Sequence, residues 1–288
     1  MRLSAGLIAA ALWVGVCGCA RQKPPGTAPP DTSRAPDAQR AIGAYNARVG
    51  HIARLTTPLT LVIDHADPGD PSSRERDQVE GSFQYARPGN VSLRVDKVGQ
   101  TLMVLGCNAD RYWWFDFSGD TTLYVGSMRL ASPEKARELG LPVHPLDLLD
   151  LACLTPLPST SRASWDSSTG LVRIVAPSRW GGRSVLVDPE TFEPRQVTLI
   201  DADGRGAVTA EVSRVEGFEV AGNAFSGAAF PTLIRAVAPA ADAKFSLELT
   251  APKDPGERMR TKPFDLDALI DAYRPSRTVD LDAPRGEP

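Results

Sequence analysis

The period of the apolar positions changes along the chain. From Ala38 to Leu55 they recur at three- and four-residue steps, at Ala41, Ile42, Tyr45, Val49, Ile52 and Leu55. That spacing predicts one amphipathic helix. Alternation then takes over: Phe83 and Tyr85 oppose Ser82 and Gln84, and Val91, Leu93 and Val95 oppose Ser92, Arg94 and Asp96. Similar short runs follow at 101–105, 111–117, 122–126, 171–175, 183–187, 194–201, 207–217, 231–237 and 243–250. Turn signals such as Arg87-Pro88-Gly89, Val98-Gly99-Gln100, Asp188-Pro189 and Asp201-Ala202-Asp203-Gly204 separate many of them. The pattern predicts a mainly β protein built on a single antiparallel sheet, large enough to curl.

One stretch interrupts the meander. Ser132-Pro133-Glu134 reads as a helix start with Pro in the first turn, running to about Leu139. After Leu141-Pro142-Val143-His144-Pro145, the segment Leu146–Leu151 is apolar on nearly every side. A short helix of that kind must be buried, and the mouth or concave face of a curled sheet is the place for it. The expected shape is a cup with short lid helices across it.

The N-terminus follows a different logic. Arg2 precedes the apolar run Leu7–Val16, too short to span a bilayer but suited to an export signal. Val16-Cys17-Gly18-Cys19 resembles a bacterial lipobox, with an aliphatic residue at −3, a small one at −1 and cysteine at +1. That resemblance makes 1–18 a lipoprotein signal peptide and Cys19 the lipidated residue. Ala20, not Asp, follows it, which by the same resemblance implies anchoring in the outer membrane, facing the periplasm. Residues 19–37 form a Pro-rich tether that spans about 55 Å if extended like polyproline. The folded domain is expected over 38–275, with 276–288 as a disordered tail.

Composition narrows the classes. Hydrophobic residues make up 42% and charged residues 23%, which supports a packed core. The net charge is −3 with no concentrated basic run, which argues against a nucleic-acid partner. With three histidines and four cysteines, a metal centre or metal cofactor is not expected. Asp64-His65-Ala66-Asp67-Pro68-Gly69-Asp70 lacks the spaced oxygen pattern of a calcium loop and reads as a solvated hairpin. No nucleophile elbow, Cys-His pair, phosphate loop or His-Glu-x-x-His motif occurs, so no enzyme, catalytic residue or cofactor is expected.

A family resemblance rests on particular stretches. Glu80-Gly81-Ser82-Phe83 and Arg87-Pro88-Gly89-Asn90-Val91-Ser92-Leu93-Arg94-Val95 come first. Gln100–Leu105 and Asn108–Asp116, containing Tyr112-Trp113-Trp114-Phe115, come next, and Gly140-Leu141-Pro142-Val143-His144-Pro145-Leu146 last. Together they resemble the LolA/LolB-like superfamily of lipoprotein carriers and receptors over about 38–155. From 156 onward only the strand count supports the likeness. Gly106-Cys107-Asn108-Ala109-Asp110 replaces the family's tighter turn, and this chain is longer.

The resemblance implies an unclosed half-barrel with an N-terminal helix and a helical lid, holding acyl chains of a lipid or lipoprotein. It also implies that Arg87, before Pro88, clamps the lid backbone; a solvent-facing hairpin arginine is the alternative. Trp113, Phe115 and Phe117 share one side of a strand, opposite Tyr112, Trp114 and Asp116. Their rings suit a wall for acyl chains, together with Leu148 and Leu149 of the lid, or equally an ordinary core. Cys107 and Cys153, left after signal cleavage, form either a disulfide or two buried thiols. Two roles share this fold: an envelope lipid or lipoprotein carrier, and a lipid-sensing stress regulator with a periplasmic protein partner.

Overall fold

A computed structural model describes residues 38–67, 70–138, 144–218 and 229–283. Helix α1 (Ala38–His51) is amphipathic, with Arg48 and His51 in its last turn, where cations complement the helix dipole. Its Ala41, Ile42, Tyr45 and Val49 are buried together with Ile52 and Leu55 beyond it. The helix is shorter than the expected stripe: four of its six positions lie on α1, Ile52 follows the last helical residue and Leu55 belongs to the first strand, and all six join the inner core.

Among the described residues the rest is one sheet of fourteen strands. In chain order these are β1 (Arg54–Asp67), β2 (Asp70–Ala86), β3 (Asn90–Lys97), β4 (Gln100–Cys107), β5 (Arg111–Asp116), β6 (Thr122–Ser127) and β7 (Arg162–Asp166). They continue with β8 (Leu171–Pro177), β9 (Gly182–Val187), β10 (Pro194–Ile200), β11 (Gly206–Gly217), β12 (Ala229–Ala238), β13 (Ala243–Leu249) and β14 (Arg277–Asp280). The spatial order is 14-6-5-4-3-2-1-13-12-11-10-9-8-7, so β14 and β7 are the free ends and the sheet does not close. Two meanders, β1 to β6 and β7 to β13, meet where β1 pairs with β13. This is the expected half-barrel.

Three features differ from expectation. β14 lies parallel to β6, pairing Arg277 with Thr122 through Asp280 with Val125, whereas its neighbours pair antiparallel. The segment 276–288, expected as a disordered tail, thus carries an edge strand; residues 284–288 lie outside the described set. Before β14 comes α4 (Leu266–Tyr273), whose N-cap Asp265 accepts a hydrogen bond from the Ala268 amide at 3.2 Å. Cys19 and the whole signal and tether region also lie outside the described residues.

Among the described residues the lid region comprises 133–138 and 144–157. It contains α2 (Pro133–Glu138), a single 3-10 turn at Pro145–Asp147 and α3 (Leu148–Leu151). Residues 139–143 are outside the described set. α3 is only four residues long, too short to persist without tertiary support.

Candidate functional site

Strand register builds an apolar trough on the inner face. β1 and β13 meet with Leu59 opposite Leu249, Leu61 opposite Leu247 and Ile63 opposite Phe245. These three cross-strand pairs all point inward, because residues two apart share a face. β2, β3 and β4 extend the same surface through Phe83, Leu93, Leu105 and Met103, with Phe83 opposite Leu93 and Leu93 opposite Leu105. Ile234 closes the trough from β12, and Leu148, Leu151 and Ala152 cover it from the lid. The space they bound opens to solvent at its mouth, and no polar side chain lines it.

The trough has a direction. Leu59, Leu249 and Leu105 at one end are buried, while Ile63, Phe245 and Met103 at the other are only partly buried. The cup is therefore closed near the start of β1 and open toward the long β1–β2 hairpin. Gly81, opposite Leu59, keeps the closed end tight: a Cβ there would lie 1.9 Å from the Arg94 carbonyl oxygen.

The aromatic strand β5 divides its residues between two environments. Trp113 and Phe115 are fully buried with Val104 and Leu123 under Leu266 and Leu269 of α4, and Phe117 packs against the same cluster. Phe115 and Phe117 each meet the Tyr273 ring at 5.1 Å. These three aromatics therefore do not line the cup; they form the outer layer, away from it. The physical reason is α4, which supplies an apolar partner for that face. Gly106 assists, since a Cβ there would lie 2.5 Å from the Trp113 indole nitrogen. Tyr112 and Trp114 belong instead to the inner core.

The lid residues also separate. Leu148 lines the cup, whereas Leu149 borders a second, polar cleft beyond the lid, shared with Asp147, Asp150, Arg179 and Arg183. Arg87 does not clamp the lid. Its Nη2 donates to the Val49 carbonyl at the C-terminal end of α1, and its backbone amide donates to Ala53 O at 3.0 Å. The Val49 carbonyl also accepts from the Ile52 amide at 3.0 Å, so Arg87 adds a second donor to the helix end.

The lid is held by buried polar groups that the sequence pattern did not reveal. Arg183, 1% exposed, donates to Asp150 Oδ1 at 2.5 Å and to the carbonyls of Thr155 and Pro156 at 3.1 and 2.6 Å. Arg48 of α1 donates to Cys153 O at 3.0 Å. Asn46 makes a reciprocal pair with the backbone of Leu157, at 2.8 and 2.7 Å. Trp180 Nε1 donates to Asp147 Oδ1 at 2.6 Å. A weak signal for Arg183 existed: it shares the parity of Val185 and Val187 and so stands at an inward position of β9.

Burial shifts the titratable groups of this region. Desolvation pushes the Asp147 carboxyl up to about 7 and the His144 imidazole down to about 4. His144 sits between Tyr112 and Trp180, with ring centroids 5.0 and 5.1 Å away. Cys107 and Cys153 are buried free thiols rather than a disulfide, and desolvation raises them to about 12 and about 11. Both are thus poor nucleophiles at neutral pH.

No protein-family model matches the sequence, and no curated protein matches it. Solved structures do resemble the fold. A DUF1329 family protein from Desulfovibrio piger superposes with a TM-score of 0.54 at 9% identity, covering 81% of this chain and 98% of that one. A LolA superfamily protein from Nitrosomonas europaea gives 0.53 at 12% identity, with 80% and 98% coverage. A candidate outer membrane lipoprotein-sorting protein domain from Vibrio parahaemolyticus gives 0.51 at 9% identity, with 81% and 99% coverage. At such identities the likeness is one of fold, and the fold is LolA-like.

Proposed function

We propose that this protein binds acyl chains of a lipid or lipoprotein in the trough between β1, β13 and the lid, as a carrier in the cell envelope. The observation that carries the reading is the trough itself, a space lined only by apolar side chains and open at one end. Solvated apolar surface of this kind is costly to leave empty, and each methylene it takes from water contributes about 0.8 kcal/mol. Extraction and release then need no covalent chemistry, only differences in binding energy. Cys19 in its lipobox-like setting supplies the anchor, and the Pro-rich tether gives the domain reach into the periplasm.

Native mass spectrometry of the full chain, isolated from membranes under gentle conditions, tests the cup. Bound lipid is expected in the wild type and should be lost when Leu61→Gln and Leu247→Gln place amides in the trough. Equal lipid retention by the folded double variant overturns the assignment. Cys19→Ala should abolish labelling with palmitate; continued labelling would remove the anchor from the proposal.

A further inference from the structure

The lid is held unevenly along its length. From Asp150 to Leu157 it is tied to β9 and α1 together. Arg183 holds the Asp150 carboxylate and the carbonyls of Thr155 and Pro156, while Arg48 holds the Cys153 carbonyl and Asn46 the Leu157 backbone. Lifting this half would strand two buried guanidiniums away from their acceptors, which is costly. From His144 to Leu149 the hold is slighter. Among the described residues, the side-chain hydrogen bond that joins this half to the sheet runs from Trp180 Nε1 to Asp147 Oδ1, at 2.6 Å. His144 adds ring packing against Trp180 and Tyr112, but its Nε2 has no hydrogen-bond partner among the described residues.

Trp180 stands on a rigid arm. It belongs to the tight turn between β8 and β9, closed by the Ser178 amide donating to Gly181 O at 3.2 Å. Gly181 presses that turn against the end of β10, where an added Cβ would lie 2.5 Å from the Ile200 carbonyl oxygen. Arg179 lies over the indole at 5.6 Å and donates to Met128 O at 3.2 Å, just past β6. A hairpin tip of the second meander is thus tied to the first, and it reaches the lid at Asp147. The next residue, Leu148, covers the trough from the lightly held half, whereas Leu151 and Ala152 cover it from the firmly held one. The four residues of α3 join the two halves, with Leu148 O and Leu149 O accepting from the Ala152 and Leu154 amides at 2.9 and 2.8 Å. A single helical turn opens readily once its tertiary support is withdrawn.

Resting on the acyl-chain reading of the trough, we propose that Trp180 is the latch of a half-lid: α3 unwinds next to Asp150, residues 144–149 swing away with Leu148, and the Trp180–Asp147 bond sets how often this happens. The moving part is the lid and not the hairpin, because the turn that carries Trp180 is fixed at Gly181 and Arg179. Leu151 and Ala152 stay in place as a permanent stretch of wall. The latch closes over an empty and a filled trough alike, so it stabilises both states equally. It therefore governs the speed of exchange and not the affinity, since only a difference between the two states shifts a binding equilibrium.

The test follows the uncharged dye N-phenylnaphthylamine entering and leaving the full-length protein by stopped-flow fluorescence. Trp180→Phe, which keeps a ring but loses the donor, should speed entry and exit alike by about tenfold, the worth of one hydrogen bond, with the dissociation constant unchanged. Asp147→Ala leaves the indole in place and should do the same, so the result does not hang on one variant folding. Because both variants break one bond, combining them should add nothing further. Hydrogen exchange in Trp180→Phe should quicken at the Leu146 and Asp147 amides and stay unchanged at Leu157. Unchanged rates in both single variants, effects that multiply in the combined one, or a weaker affinity with unaltered entry would each overturn the latch. Quickened exchange at Leu157 as well would show the lid moving as one piece and reject the half-lid. Leu61→Gln with Leu247→Gln separates the two readings. Dye binding that survives this pair overturns the trough itself, whereas binding lost here with rates unmoved in Trp180→Phe rejects the latch alone.

Discussion

The outer layer over β4 and β5 and the inner trough along β1 and β13 are both apolar, yet they are covered to different degrees. Outside, Val104, Trp113, Phe115 and Leu123 meet Leu266 and Leu269 of α4, and none of the six exceeds 8% exposure. Inside, Leu61, Ile63, Met103, Phe245 and Leu247 are only partly buried around open space. Apolar composition is therefore no guide to role. What distinguishes a filled core from an open trough here is whether another element has been provided to cover it.

That contrast predicts unequal responses to the same kind of truncation. Phe115→Ala should cost most, about 3–5 kcal/mol in denaturant unfolding, because its neighbours are fixed and leave a cavity. A loss below about 1 kcal/mol would mean the outer layer is loosely packed. Arg183→Ala should follow at about 3 kcal/mol, since it strands Asp150 beside two unpaired carbonyls under the lid. Adding Asp150→Leu should recover part of that loss; no recovery would count against the pairing as the cause.

The pH dependence of the lid comes next. Asp147, raised to about 7 in the fold, binds a proton that the unfolded chain releases above its ordinary value near 3.8. Its effect is to lower stability as pH rises through that window. His144, lowered to about 4, does the reverse: the unfolded chain holds a proton up to about 6.5 that the fold rejects, so stability rises with pH. Between about pH 4 and 6.5 the two effects oppose. Asp147→Asn should unmask a rising slope of up to about 1.4 kcal/mol per pH unit, and His144→Gln a falling one. Parallel slopes in the two variants would show that these groups do not carry the effect. The smallest change belongs to the open face: Leu61→Ala should cost about 1 kcal/mol or less, since part of its side chain has no packing partner to lose. A loss as large as that of Phe115→Ala would show that Leu61 is ordinary core.

The same contrast explains what the sequence made legible. Strand runs of alternating residues and the α1 stripe specify themselves locally, so the meander and the half-barrel follow from period alone. Alternation tells which residues of β5 share a side, but not which side is concave. Trp113-Trp114-Phe115 is apolar on both, because α4 covers one face and the lid core the other. α4 was missed because eight residues give little more than two turns of periodicity. β14 was missed because four residues, three of them exposed, carry almost no alternation. Arg183 and Asp150 are 33 positions apart, and a buried ion pair leaves no periodic trace until the fold brings its halves together.

The staircase Leu59, Leu61, Ile63 is also a ruler. Its ends are set by backbone, with the floor at Leu59 against Gly81 and the rim at His65 against Glu75. Four residues of strand separate Leu59 from Ile63, about 14 Å of wall whose length no side-chain rearrangement alters. On the proposed reading, a hydrocarbon tail lying along β1 would be gauged against that fixed length: a shorter tail would leave the floor bare, and a longer one would have to bend beneath Leu148 or project beyond the open end.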